Sequence, residues 1–216
     1  MPQKFTTFFN LLDALREPGC ALCRLVEKGT RQHFDSMLYE YVNDPKTRAA
    51  LAASQGFCRE HARVLLSFGD ALGTALLHQG LLRMLAEPDR APKGHISVPS
   101  ASCPACDYAK DLLERYGSTL LDFLGEQEIL EALEHPGVLC LPHLRWLIVH
   151  SHDKESANAL VACARRTARQ ILDRLDRFIA AQNATGPPIS LSEEDTTAWL
   201  EALDFFSGTL REPITR

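Results

Sequence analysis

The sequence predicts an all-α protein: two internally repeated helical metal-binding modules packed together, followed by a C-terminal helix. Three observations predict it. Apolar residues recur at helical spacing. No segment alternates as a strand over a useful length. A Cys-x2-Cys pair followed by a Cys-x2-His pair occurs twice in the same order.

The repeat is Cys20-Ala21-Leu22-Cys23 with Cys58-Arg59-Glu60-His61, then Cys103-Pro104-Ala105-Cys106 with Cys140-Leu141-Pro142-His143. Cys20 to Cys103 is 83 positions and Cys58 to Cys140 is 82. One lost residue therefore reconciles the copies. Intervening apolar positions keep step, Met37 and Leu38 falling on Leu120 and Leu121. The sequence divides on this basis into a first module at 1–92, a second at 93–184, and a linker with an amphipathic helix at 185–216.

Within the first module Leu25, Phe34, Leu38 and Tyr41 mark an apolar stripe on a helix running to about Val42. Asn43-Asp44-Pro45 stops it, with Asp44 as N-cap and Pro45 opening a short helix. Gly56-Phe57 turns the chain into a third helix at Cys58, and a fourth spans about 70–87. The second module follows suit and ends in a longer helix, about 154–182. Pro88 to Ser100, with three prolines, is an extended connector. Thr185-Gly186-Pro187-Pro188 sets off a last helix at about 193–206, with Ser192 and Asp195 as a capping box. Trp199, Leu200, Leu203 and Phe206 recur at helical spacing there and form the face expected to dock.

Composition narrows the function. The chain has 216 residues, 45% hydrophobic and 24% charged, with a formal net charge of -5. That charge disfavours broad nucleic-acid binding and a polybasic membrane surface. No run of about 18 apolar residues is present to span a bilayer. The N-terminus lacks a basic segment followed by an apolar one, which predicts no signal peptide and a cytoplasmic location. Thiols stay reduced there, so seven cysteines point to metal or redox chemistry rather than disulfides.

A Cys-x2-Cys pair entering a helix aims two sulfurs at one ion, and the free N–H groups of the first turn favour thiolates. Cys-x2-His opening a helix puts its side chains at i and i+3 on one face. Three thiolates and one imidazole form a closed tetrahedral set that suits Zn²⁺, two ions per chain. An iron–sulfur cluster on the same ligands is the alternative. Pairing within each copy, Cys20, Cys23, Cys58 and His61 against Cys103, Cys106, Cys140 and His143, keeps loops short. The crossed alternative weighed against it puts four cysteines in one site and two cysteines with two histidines in the other.

These residues resemble an uncharacterised bacterial family, a domain of unknown function with CPxC, Tyr-Glu-x-Val-Asn-Asp-Pro and Gly-Phe-Cys-x2-His elements. Here they stand as Cys103 to Cys106, Tyr39 to Pro45 and Gly56 to His61. Ala21 departs from the CP form but leaves the ligands intact. The resemblance implies fold and ligands, and no activity.

Other features read as structural. His150-Ser151-His152-Asp153 falls at a helix junction and reads as solvated capping residues. Cys163 lies on a stripe with Leu160, Thr167, Ile171 and Leu175, a buried thiol. Arg165, Arg166, Arg169, Arg174 and Arg177, interrupted by Asp173 and Asp176, read as a solvated face. His33, His78, His95 and His135 have no partner spacing.

The leading expectation is a metal-stabilised scaffold that binds a protein, with a homo-oligomer left open and no membrane association. A redox or metal sensor and a nucleic-acid-associated zinc protein are the alternatives. Four protein ligands leave no open position for water, and no phosphate loop or nucleophile elbow occurs, so the sequence leans against an enzyme and offers no catalytic residues.

Overall fold

The computed structural model describes residues 4–86, 99–135, 137–183 and 190–208. Most of the expected Pro-rich connector, the 185–188 joint, His95 and everything beyond Gly208 lie outside the described residues. All regular structure among the described residues is helical, ten α-helices and one π-helical turn.

The chain forms two compact units, Met1–Leu25 with Leu113–Arg216, and Val26–Leu112. This corrects the expected division at 92 and 184. The reason lies in α2 (Ala21–Ser36) and α6 (Pro104–Asp122), each of which serves two cores. Leu22 and Leu25 of α2 are buried in the first unit, while Phe34 is buried in the second. On α6, Ala105 belongs to the second unit's core and Leu120 to the first's.

The first unit has the larger core. It opens with α1 (Thr6–Leu15), which sequence reading left unassigned although Phe8, Leu11, Leu12 and Leu15 keep helical spacing and are buried. Packed in the same core are Ile129 and Leu133 of α7 (Gln127–Glu134) and Leu144 and Leu147 of α8 (Leu141–His150). Leu160, Cys163 and Ile171 of α9 (Lys154–Asn183) complete it, as their stripe predicts. Asp153 caps α9, accepting from the Ser156 N–H at 2.7 Å, so the His150–Asp153 junction is structural.

The second unit is thinly cored. Phe34, Leu65 and Ala105 form one small buried cluster, and Met37, Leu51 and Leu77 another. Its helices are the remainder of α2, α3 (Pro45–Ser54), α4 (Arg59–Leu66), α5 (Ala71–Ala86) and the start of α6. Asp44 caps α3 as expected, accepting from the Thr47 N–H at 2.8 Å. Between α2 and α3 the chain makes the π-helical turn Met37–Tyr41. That wider turn rotates later residues away from the stripe. Tyr41 is exposed as a result, which corrects its placement beside Leu25 and Phe34.

The last helix, α10 (Glu193–Ser207), has the expected Ser192/Asp195 capping box and packs on α9 and α8. It docks by a different face from the one expected. Asp195, Ala198 and Phe205 are buried, while Trp199, Leu203 and Phe206 are exposed. Two alanines, Ala198 and Ala202, leave room for close packing, and charge fixes the orientation. Arg174 forks onto Glu201 at 3.0 and 2.6 Å, and Arg177 reaches Asp195 at 2.7 Å. Arg166 donates to the Leu133 carbonyl. The arginine run is therefore partly engaged rather than a wholly solvated face.

Phe205→Ala is expected to cost roughly 3–5 kcal/mol of unfolding free energy, the usual range for a buried Phe. Phe206→Ala should change it by no more than about 0.5 kcal/mol, because that ring is exposed. Denaturant melts of both variants check this; equal losses would restore the face read from sequence. The Arg177 guanidinium, with the Ser192 N–H, holds Asp195 below its ordinary carboxylate value of 3.8. The stabilisation from this pair is present above that value and is lost as pH falls through the lowered one. Asp195→Asn should thus be less stable than the parent at neutral pH and converge with it in strong acid.

Candidate metal centres

Each ligand pair is built at the first turn of a helix. Cys20, Cys58, Cys103 and Cys140 stand just before α2, α4, α6 and α8, and their carbonyls accept the first helical hydrogen bonds. The second ligand of each pair comes three residues later. Cys140 makes no side-chain cap hydrogen bond, so its sulfur is spared for the cluster. The positive end of each helix favours a thiolate there.

The structure brings the eight residues into two groups, Cys20, Cys23, Cys140 and His143 in the first unit and Cys58, His61, Cys103 and Cys106 in the second. In each group the four ligand atoms lie within 4.8 Å of one another. In the first centre His143 Nδ1 lies 3.2 Å from Cys20 Sγ, 3.5 Å from Cys23 Sγ and 3.2 Å from Cys140 Sγ. Cys23 and Cys140 sulfurs are 3.8 Å apart. In the second, His61 Nδ1 lies 3.2 Å from Cys58, 3.7 Å from Cys103 and 3.3 Å from Cys106. Cys58 and Cys106 sulfurs are 3.6 Å apart. These S···S distances far exceed a disulfide bond of about 2.05 Å, and all seven cysteines are free.

The within-copy pairing is thereby corrected. Each Cys-x2-Cys meets the Cys-x2-His of the other copy, and both groups keep three cysteines and one histidine. Neither pairing drawn from the sequence has this form. Loop length misled because its cost is only logarithmic. Joining Cys23 to Cys140, 117 residues away, instead of to Cys58, 35 away, costs about 1 kcal/mol more. In return, Leu22 and Leu25 from one copy share a core with Leu144 and Leu147 from the other. A single buried Leu contributes roughly 1.5–3 kcal/mol.

Local contacts hold the turns. The Ala21 N–H, an orphan of the first turn of α2, donates to the Val138 carbonyl at 2.9 Å and ties the Cys20 turn to the Cys140 loop. Gly19, with φ of 84°, makes the turn into Cys20 in the left-handed region. Arg24 donates to the Ala14 carbonyl at 2.6 Å and to the Pro18 carbonyl, pinning the α1–α2 connection. Sequence reading missed Arg24, since nothing in its spacing marks it as more than a surface charge. Around the second centre, Phe34 faces His61 with ring centroids 6.3 Å apart, and His33 stacks on Tyr108 at 4.3 Å.

The side chains alone oppose ionising three sulfurs together. Hydrogen bonds from Cys140 and Cys20 lower the Cys23 thiol, while Cys20 and Cys23 push Cys140 up. Burial pulls His143 down, but the Cys20 and Cys23 sulfurs outweigh it and raise it to about 9. In the second centre burial and Cys58 push Cys106 up to about 12. Burial opposes ionisation of Cys58 too, yet the His61 N–H and the Cys106 and Cys103 thiols leave it lowered. His61 is lowered by burial, against Glu60. A cation at either focus removes this conflict, so both donor sets fit a metal ion.

Fold and site together define a class: an all-helical protein with two three-cysteine, one-histidine clusters that can hold metal ions. Residues 1–91 match the model of the family of unknown function DUF6062. That match includes Cys20, Cys23, Cys58 and His61 and stops short of the second copy's ligands. The chain is also 25% identical over 203 residues to the uncharacterised 23.9 kDa protein in the xynA 3' region of Caldicellulosiruptor sp. (strain Rt8B.4). That alignment covers 92% of this chain and 100% of the relative. No solved structure matches.

Paired substitutions read the ligand grouping directly. With metal supplied, Cys58→Ser combined with Cys106→Ser should remove one ion, because both residues serve one centre. Cys20→Ser combined with Cys58→Ser should remove both. Within-copy pairing gives the opposite result for each pair in elemental analysis.

Proposed function

We propose that the protein is a zinc-stabilised helical scaffold that binds another protein. The observation that carries the zinc reading is the ligand spacing. Tetrahedral zinc, with Zn–S near 2.3 Å and Zn–N near 2.0–2.1 Å, needs S···S of about 3.8 Å and S···N of about 3.5 Å. One sulfur pair in each centre, Cys23–Cys140 and Cys58–Cys106, stands at 3.8 and 3.6 Å, and the histidine nitrogens lie 3.2–3.7 Å from the sulfurs. Four ligand atoms within 4.8 Å favour one ion over an iron–sulfur cluster, whose several irons hold their ligands farther apart. A bound zinc would supply the charge that lets all three thiols ionise.

A closed four-ligand set favours a structural role over hydrolysis. The second unit needs such a staple, given its two small cores. No helix among the described residues is long and apolar enough to cross a membrane. Reduced thiols favour a cytoplasmic setting. Protein binding is supported by α5, where Leu72, Leu82 and Leu85 are exposed. On the same helix Ala75, His78, Leu82 and Ala86 line a shallow cleft of about 440 Å³.

A sensor reading draws on one specific difference. All three cysteines of the second centre are partly exposed, whereas Cys20 and Cys140 of the first are buried. Oxidation would then begin at Cys58, Cys103 or Cys106.

Elemental analysis should return about two zinc ions per chain, and the absorption spectrum should lack iron–sulfur bands. Chelation should cost helicity, and hydrogen exchange should show the loss first within Val26–Leu112, the unit with less core. No transition metal, or an unchanged fold after zinc is removed, would contradict the structural role.

A further inference from the structure

The C-terminal helix ends on the first metal centre. Gly208, the residue that caps α10, is buried. A Cβ placed on it would lie 3.4 Å from Cys23 Sγ and 4.0 Å from Cys140 Sγ, so the bare backbone packs against two ligand sulfurs. Its φ of 88° and ψ of 161° fall in a region essentially restricted to glycine. The Gly208 N–H donates to the Asp204 carbonyl at 3.0 Å, which holds this turn closed. One turn earlier, Phe205 is buried in the core that contains Cys20 and Cys140. Glu201, Asp204 and Phe205 also wall a cavity of about 350 Å³ whose lining includes Cys20 and Cys140. The helix itself is held on a narrow face, by Asp195, Ala198 and Phe205 and by two arginine latches from α9.

We propose that α10 is the cover of the first metal centre, with Gly208 as the residue that seats it, and that metal loading there and helix docking stabilise each other. This rests on the reading of that centre as a zinc site. With the helix seated, Gly208 keeps competing ligands from the Cys23 and Cys140 sulfurs it packs against. The ordered sulfurs in turn give the helix end its seat. Linkage makes the coupling reciprocal: whatever loosens α10 weakens metal retention, and metal loss loosens α10. The second centre has its ligands at the starts of α4 and α6, so loosening α10 is expected to change metal release at the first centre alone.

The test is zinc release from the full-length, zinc-loaded protein to an excess of a chromogenic pyridylazo chelator. Cys58→Ser and Cys20→Ser proteins identify the phases belonging to the first and second centres. Gly208→Val should speed the first-centre phase by roughly tenfold or more, the scale of a lost outer-shell contact. The second-centre phase should stay unchanged. Gly208→Ala, which adds one methyl, gives the same order with a smaller effect if the valine protein does not fold. Gly69→Ala is the control for a glycine substitution at positive φ away from both clusters' sulfurs, since Gly69 has φ of +67° and nothing within 4 Å of its Cβ position. In the parent protein, zinc removal should accelerate amide exchange in α10. Two bound ions with first-centre release unmoved by either Gly208 variant, or with both phases accelerated alike, overturn the cover. A protein that binds no transition metal overturns the zinc reading and the cover together.

Discussion

Two ligand-bearing helix starts must face each other at each centre, and the rest of the fold follows from that. A thiolate or imidazole at a helix N-terminus gains from the free N–H groups and the dipole. One such turn offers two ligands, and a closed tetrahedral set takes four. The chain therefore brings the start of α2 to that of α8 in one unit and the start of α4 to that of α6 in the other, the four ligand atoms of each group within 4.8 Å of one another. The surrounding hydrophobic core decides which turns meet.

That core explains the nested order. Cys20 and Cys23 precede the point where α2 enters the second unit, and Cys140 and His143 follow the return along α6. The inner four ligands all lie between. The repeat in the sequence is thus split between the units, each of which takes half of its ligands from each copy. The chain can settle in this way because longer closures cost little entropy while shared apolar packing contributes much more.

Helix content and the eight cysteines and histidines that cluster were legible in the sequence. Spacing at 3.6 residues, the Asp44 and Ser192 caps and the two motif types are local signals, and local signals survive folding. The ligand grouping was not legible, since it depends on which helices share a core 117 residues apart. The α10 face was misread for a related reason. Large apolar residues at 199, 203 and 206 outweigh Ala198, Ala202 and Phe205 by hydrophobicity, yet the arginines on α9 and the small alanines select the second face. Tyr41 was misplaced because a π-helical turn leaves no mark on periodicity until it has shifted it. Gly208 has no motif around it, and only its position over Cys23 gives it meaning.

An anomalous difference map from crystals of the zinc-loaded protein, recorded at the zinc edge, tests the nested centres most directly. Two peaks are expected, one among Cys20, Cys23, Cys140 and His143 and the other among Cys58, His61, Cys103 and Cys106. Peaks joining Cys20 and Cys23 to Cys58 and His61, or no peak at either cluster, would contradict it.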